Sequence, residues 1–353
     1  MKRKWRIATL LLILPLLASC GRKPNSEQRK LDFFAMDTIM EFSAYADEGL
    51  LEGARDVVMD IESRVSTTDE QSELHRLNRN GGGTVSPQTA ALLETALSMC
   101  RLTGGAFDIS IYPIVKAWGF TTGEYRVPSF DETAALLENV GYARIRLSDP
   151  DDGTQSGNAD GTQSGAEVTL PDGMQIDLGG VAKGYAGREA ANYLRAHGVT
   201  SALLNLGGNV QTIGSKPDGS PWRVAVRDPQ APDVYAGVVE IRNQAAVTSG
   251  GYERCFTADD GETYWHIMDP ATGRPARNGI LSATIIADDG ALCDALSTAL
   301  FIMGPERAER FWRTSRENFE MVLITEDGEA LVTEGLSYAP QASAPYSVRT
   351  LAR

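Results

Sequence analysis

The chain has 353 residues, 42% of them hydrophobic, and its 33 basic and 47 acidic side chains give a net charge of −14. That apolar fraction can supply a large core. The acidic balance argues against nucleic acid as a partner, and an anionic ligand would need local cations to hold it.

Met1–Arg6 carries Lys2, Arg3, Lys4 and Arg6, and an apolar run follows from Ile7 to Leu17. The run is short for a membrane span and fits a signal peptide. It ends in Leu17-Ala18-Ser19-Cys20, the pattern of a bacterial lipobox. Residues 1–19 are read as the signal, Cys20 as the lipidated residue and 20–30 as a polar tether. The expected location is the extracytoplasmic face of a cell membrane, held by lipid. Cys100, Cys255 and Cys293 remain, in a spacing that suits neither zinc nor a disulfide framework, and are read as buried thiols with at most one disulfide.

Residues 31–340 read as one domain and 341–353 as a tail. Met36–Ala46 is a strand candidate, and Gly49–Val65 has helical spacing in Leu50, Ala54, Val57, Val58 and Ile61. Ser66–Asn78 is a polar turn and a short helix. Ser86-Pro87 starts a helix that runs to about Leu102 and stops at Gly104-Gly105. A helix is expected near Asp131–Val140 and a strand over Tyr142–Ser148. The stretch 149–166 contains DGTQSG twice and almost nothing to bury, so it reads as a mobile surface insertion. Strands resume at Glu167–Leu170 and at Gln175–Leu178.

Gly179-Gly180 then turns the chain into a helix with Lys183 in its first turn, ending at Gly198. Free N–H groups at a helix start beside an ammonium favour a phosphate, although Gly-rich turns of this kind are common. From Ser201 the chain is mostly strands, with Asp259-Asp260-Gly261 and Asp327-Gly328 as hairpin turns. Helical crossovers are too few for a doubly wound sheet. The fold class is therefore α+β, with largely antiparallel sheets and helices packed on their faces. Ala291–Glu306 is a helix closed by Gly304. Asp294 and Thr298 are four apart on one of its faces, and a carboxylate with a hydroxyl suits a hard cation such as Mg²⁺. The plainer alternative is a carboxylate favoured by the helix dipole and a threonine bonded to the preceding turn. His266 lies at a strand end before an Asp269-Pro270 turn.

AMDT at Ala35–Thr38, GGAFD at Gly104–Asp108, DLGGVAKGYA at Asp177–Ala186, LGGN at Leu206–Asn209, SGGYER at Ser249–Arg254, HIMDPATGRP at His266–Pro275 and DALSTAL at Asp294–Leu300 come in one order. Together with PWRVAVRDP at Pro221–Pro229 they resemble the ApbE family of FAD:protein FMN transferases, across nearly the whole chain after Cys20. The resemblance implies an α+β fold and a reaction in which FAD is split at its pyrophosphate. Its FMN half passes to a Thr or Ser hydroxyl of a target protein, and AMP leaves. It implies Mg²⁺ held by Asp294, Thr298 and the Gly180 carbonyl, with Ser297 where some members carry a further acidic ligand. Met36, Ala106, Phe107, Asp108, Asp177, Lys183 and Ile267 match positions that contact FAD. Asp294 is a catalytic candidate, and His266 a candidate base for the acceptor hydroxyl. Where the family commonly has a flavin-stacking aromatic, this chain has Thr68. Flavin-carrying subunits of membrane electron-transport complexes, or other FMN-binding proteins, are the implied targets. The alternatives are an FAD-storing or FAD-hydrolysing lipoprotein and an ordinary solute binder.

The lipobox is open to a direct check. Cys20→Ser is expected to abolish lipidation and signal cleavage while leaving the chemistry on soluble FAD unchanged. Mass spectrometry of the mature N-terminus decides; a wild-type mature protein without lipid on Cys20 would remove the anchor.

Overall fold

The computed structural model describes residues 27–148, 165–231 and 233–353. The expected signal peptide, Cys20, residues 20–26 of the tether and 149–164 of the insertion lie outside the described residues.

The chain opens with an antiparallel hairpin, β1 (Arg29–Ala35) and β2 (Thr38–Ala44), closed by Met36 and Asp37. Both turn residues have positive φ, 48° and 60°, the hand that matches strand twist. The strand expected over Met36–Ala46 is thus the second half of a hairpin. Its turn lacks the usual glycine or asparagine, and charged Arg29, Lys30 and Asp32 mask the first half. α1 (Glu48–Val65) buries Leu51, Ala54, Val58, Ile61 and Val65 at helical spacing. α2 (Glu73–Asn80) is capped by the Ser72 hydroxyl and closed by Gly81 at φ 73°. β3 (Gly82–Val85) leads to α3 (Pro87–Leu102), where Ser86 caps and Pro87 starts the helix.

α4 (Tyr112–Ala117) and α5 (Phe130–Leu137) follow. The strand expected at Tyr142–Ser148 is a 3₁₀ turn over Tyr142–Arg144 and a short β4 (Arg146–Leu147). β5 (Ala166–Thr169) pairs with β3 and β4, and its Glu167 accepts the Thr84 hydroxyl at 2.8 Å. Gln175–Leu178, expected as a strand, joins no sheet. Side chain and loop hold it instead: the Ile176 N–H donates to Asn78 Oδ1 at 2.7 Å and the Asp177 N–H to the Ile109 carbonyl at 2.8 Å.

α6 (Gly179–Ala196) is followed by β6 (Ser201–Leu206), β7 (Asn209–Gly214), β8 (Trp222–Arg227), β9 (Tyr235–Ile241) and β10 (Ala245–Gly250). Next come β11 (Cys255–Thr257), β12 (Thr263–Trp265), β13 (Met268–Asp269), β14 (Arg274–Pro275) and β15 (Ile280–Ala287). α7 (Gly290–Met303), α8 (Pro305–Thr314), β16 (Glu320–Thr325), β17 (Glu329–Thr333), β18 (Tyr338–Pro340) and β19 (Ser347–Leu351) complete the chain. Residues 341–353, expected as a tail, thus carry a strand. All three cysteines after Cys20 are free thiols; Cys100 and Cys293 are buried, but Cys255 is exposed on the short β11.

The main sheet has nine strands in the order β1-β2-β6-β7-β10-β15-β16-β17-β19, antiparallel except for the β17–β19 pair. The architecture is the expected α+β. Both faces of its centre are covered, and alternate residues serve different cores. Ala283, Ile285, Met321 and Leu323 belong to the larger core, together with the buried residues of α1, α6 and α7. Ile286, Val322 and Ile324 pack with Trp222, Val226, Val239 and Ile241 of the small β18-β9-β8 sheet.

α6 and α7 meet backbone to backbone. A Cβ on Gly184 would stand 2.1 Å from the Gly290 carbonyl oxygen and 2.8 Å from the Asp294 Cβ; one on Gly290 would stand 2.7 Å from the Gly184 oxygen. No side chain can be accommodated there without parting the helices. Gly184→Ala is expected to destabilise by about 1–3 kcal/mol or more, read as a lower melting temperature. Gly49→Ala, with nothing within 4 Å of the added methyl, is the control and should be neutral or gain up to about 1 kcal/mol.

Candidate functional site

Against the α6–α7 crossing lies a cleft of ≈ 350 Å³. Its wall is assembled from the β1–β2 turn, the end of α1, the segment after α3, the start of α6, the ends of β7 and β10, the His266–Pro270 loop and one face of α7. Met36, Ala106, Phe107, Asp108, Asp177, Gly180, Lys183, His266, Ile267, Asp294 and Thr298 all line it. On α7, Asp294, Thr298 and Ile302 form a stripe at helical spacing. Ser297 does not line it. It is fully buried on the neighbouring face, donating to the Asp294 carbonyl at 2.8 Å and sharing a 2.7 Å hydrogen bond with Ser249.

Asp294 is 5% exposed, and its Oδ2 accepts the Gly184 N–H at 2.8 Å. In a regular helix that N–H serves the Gly180 carbonyl, which here competes with a carboxylate for its donor. Burial pushes the Asp294 carboxyl above its usual range, against the pull of Lys183, the Gly184 N–H and Asn209. Asn209 makes no hydrogen bond of normal length with it, and both of its buried amide atoms lack a partner among the described residues. Gly180 is held between α7 and Phe107: a Cβ there would stand 2.9 Å from the Phe107 ring and 3.6 Å from Thr298 Oγ1.

Asp108 lines the cleft, yet its carboxylate is occupied by protein. One oxygen accepts the Ser110 N–H at 2.9 Å and the Ser110 hydroxyl at 2.6 Å, and the other the Tyr142 N–H at 3.1 Å. Asp177 accepts the Gly179 N–H at 3.1 Å, and the packing around it raises its pKa against the pull of that N–H and of Arg254. Lys183 forms no ion pair among the described residues. Burial, with Arg254 and Lys183 close by, lowers the His266 pKa to about 3. The ring stays half-open to the cleft, so water tempers that shift, but it is neutral at pH 7 in either case.

Several lining residues carried no individual signal in the sequence: Glu62, Thr67, Thr121, Glu253 and Arg254. Glu253 and Arg254 belong to a quoted motif without a role. Packing raises the Glu253 pKa against Lys183 and Arg227, although its side chain reaches solvent. Thr68 does line the cleft where an aromatic was expected, and Phe107 and Phe120 supply the phenyl rings of the wall.

The Asp294 environment yields a signed expectation. At pH 7 the ionised carboxylate opposes the burial around it, and asparagine carries no such charge. Ligand-free Asp294→Asn should melt above wild type at pH 7. The gap should close as pH falls through the raised folded-state pKa and vanish below the unfolded carboxyl's value of about 4. Thermal unfolding across pH checks it; a variant less stable than wild type at pH 7 would contradict it.

The ApbE family model matches residues 36–323. The FAD:protein FMN transferase of Treponema pallidum is 32% identical over 86% of this chain and 86% of its own, and that of Vibrio cholerae 31% over 92% and 95%. Among solved structures, the ApbE protein of Thermotoga maritima superposes with a TM-score of 0.77 at 30% identity, covering 88% of this chain and 98% of its own. The flavin transferase ApbE of Vibrio cholerae gives 0.71 at 26% identity, covering 91% and 99%. With seven of the eight motifs contributing to one cleft and the family model matching residues 36–323, the chain belongs to the ApbE family.

Proposed function

We propose that this chain transfers the FMN moiety of FAD to a Thr or Ser hydroxyl of a target protein, releasing AMP. The observation that carries it is the meeting of Lys183, Asp294, Thr298 and the Gly180 backbone at the α6–α7 crossing, in a cleft that is otherwise partly apolar. Phosphoryl transfer asks for positioning and charge neutralisation more than for covalent chemistry, and these groups provide both.

The donor set fits Mg²⁺. A carboxylate, a hydroxyl and a backbone carbonyl are hard oxygen donors, and Mg²⁺ takes few protein ligands beside water and phosphate. The unsatisfied Asn209 amide next to Asp294 is a further polar group available to ligand or water. Asp294, Thr298 and Gly180 would hold the ion, which when bound supplies charge neutralisation at the pyrophosphate. Lys183, one turn into α6, adds a mobile positive charge near the helix's own positive end. Phe107 and Phe120 offer apolar surface to a ring system.

His266, which lines the cleft, would accept the proton of the acceptor hydroxyl. In the ligand-free protein burial, and after it Arg254 and Lys183, hold its basicity down. A pyrophosphate that neutralises these cations would relieve their share of that depression and leave the share due to burial. The anchor at Cys20 would keep this chemistry at a membrane surface, near flavin-carrying electron-transport subunits. No helix of the described residues is long and apolar enough to cross a membrane.

The test is to incubate the protein with FAD, Mg²⁺ and a flavin-carrying electron-transport subunit, then weigh the products. AMP and an FMN-modified acceptor are expected, and EDTA should stop both. Asp294→Ala should abolish transfer while FAD hydrolysis and transfer by wild type proceed under the same conditions. Near-normal, EDTA-sensitive turnover by Asp294→Ala would remove Asp294 from the site.

A further inference from the structure

The β1–β2 hairpin ends in the cleft. Met36 and Asp37 line it, and the Met36 N–H donates to the Glu62 carboxylate of α1 at 2.7 Å. Glu62 is itself in the wall, so the hairpin tip is tied to the site. Immediately behind the turn, Phe34 and Ile39 oppose each other across the strands, 65% and 66% exposed. The inward neighbours Phe33 and Phe42 pack edge to face at 5.0 Å. On the outer face the other positions are Lys30, Asp32 and Glu41, which are exposed, and Ser43, which is half-buried. An apolar cross-strand pair therefore sits where strand alternation calls for polar residues.

β1 is also an edge of the nine-stranded sheet. With Met36 and Asp37 as a two-residue turn, Ala35 and Thr38 form the hydrogen-bonded pair. Bonding alternates from there, so Phe33 and Leu31 also bond to β2, and Phe34, Asp32 and Lys30 turn their N–H and C=O groups to the open edge. Among the described residues, no backbone hydrogen bond to β1 comes from outside β2.

We propose that this edge receives the acceptor polypeptide. An extended segment of the acceptor pairs with β1, lays an apolar side chain over Phe34 and Ile39, and runs past Met36 so that its hydroxyl enters the cleft. Strand addition binds through main-chain groups, and the side chains set preference. The outward carboxylates of Asp32 and Glu41 favour an acceptor with a basic residue beside the apolar one. The proposal rests on the transferase reading, since neither storage nor hydrolysis of FAD needs a protein to be led to the cleft.

The experiment measures transfer to the flavin-carrying subunit used above by wild type, by the double variant Phe34→Ser/Ile39→Ser and by Asp32→Pro. Proline at position 32 removes an outward N–H from an edge strand and spares the ladder to β2. Each variant should raise the acceptor KM about tenfold, the loss of roughly one good contact. FAD affinity, followed by flavin fluorescence, and kcat at saturating acceptor should stay at wild-type values. In wild type, hydrogen exchange at the Asp32 and Phe34 amides should be fast alone and slowed by the acceptor. That readout decides the matter even where a variant folds poorly. Unchanged acceptor KM, or amides that the acceptor leaves unprotected, overturns the proposal. So does loss of flotation with anionic lipid vesicles in the variants at unchanged KM, which would give the face to a lipid surface. A wild-type protein that modifies no acceptor fails the transferase reading itself, and that arm is read before any variant is compared.

Discussion

The contact between Gly184 and Gly290 is the constraint from which the site follows. Two helices can approach with carbonyl oxygen against Cα only where neither carries a side chain. That approach brings Asp294 of α7 within hydrogen-bond distance of the α6 backbone and sets Thr298 beside Gly180, one turn nearer the start of α6. Arg188 and Asp289 reinforce the crossing from outside, with a 2.9 Å ion pair between α6 and the N-cap of α7. The grouping of Asp294, Thr298 and Gly180 is thus a property of helix packing and not of a loop. Groups held this way need little reorganisation when substrate arrives.

Electrostatics within the cleft run against the protein as a whole. The chain is strongly acidic, yet Lys183 and Arg254 face the cleft with no carboxylate paired to them among the described residues. The carboxylates nearby, Asp177, Glu253 and Asp294, are all raised by the packing around them. Buried acids with elevated pKa beside unpaired cations are costly for stability and useful for binding an anion with its counterion. Burial, with these two cations behind it, also lowers the His266 pKa.

Much of this was legible from residues. Helices α1, α3, α6 and α7 announce themselves through spacing and caps, and Asp294 with Thr298 through a four-residue interval. β1 was hidden because its first residues are charged and its turn, Met36-Asp37, has neither glycine nor asparagine. β7 was hidden because NVQTIG buries Asn209, Gln211 and Thr212; polar residues inside a sheet defeat a reading by alternation. Gln175–Leu178 has strand-like residues but finds its partners in Asn78 and Ile109, which only tertiary structure supplies. Ser297 was a weaker ligand candidate beside Thr298, and a rotation of one residue along α7 places it in the core against Ser249. Glu253 and Arg254 carried no role of their own in the sequence, because their meaning comes from Lys183 and His266 across the cleft.

The pairing of β19 with β17 ties the two sheets to each other. Parallel neighbours need a crossover between them. Here the crossover carries β18, which pairs with β9 at the edge of the smaller sheet. Leu351, at the end of β19, is buried in the larger core. Loss of β19 would open the edge of β17 and release the far anchor of β18, so closing the large sheet and seating the small one are a single event.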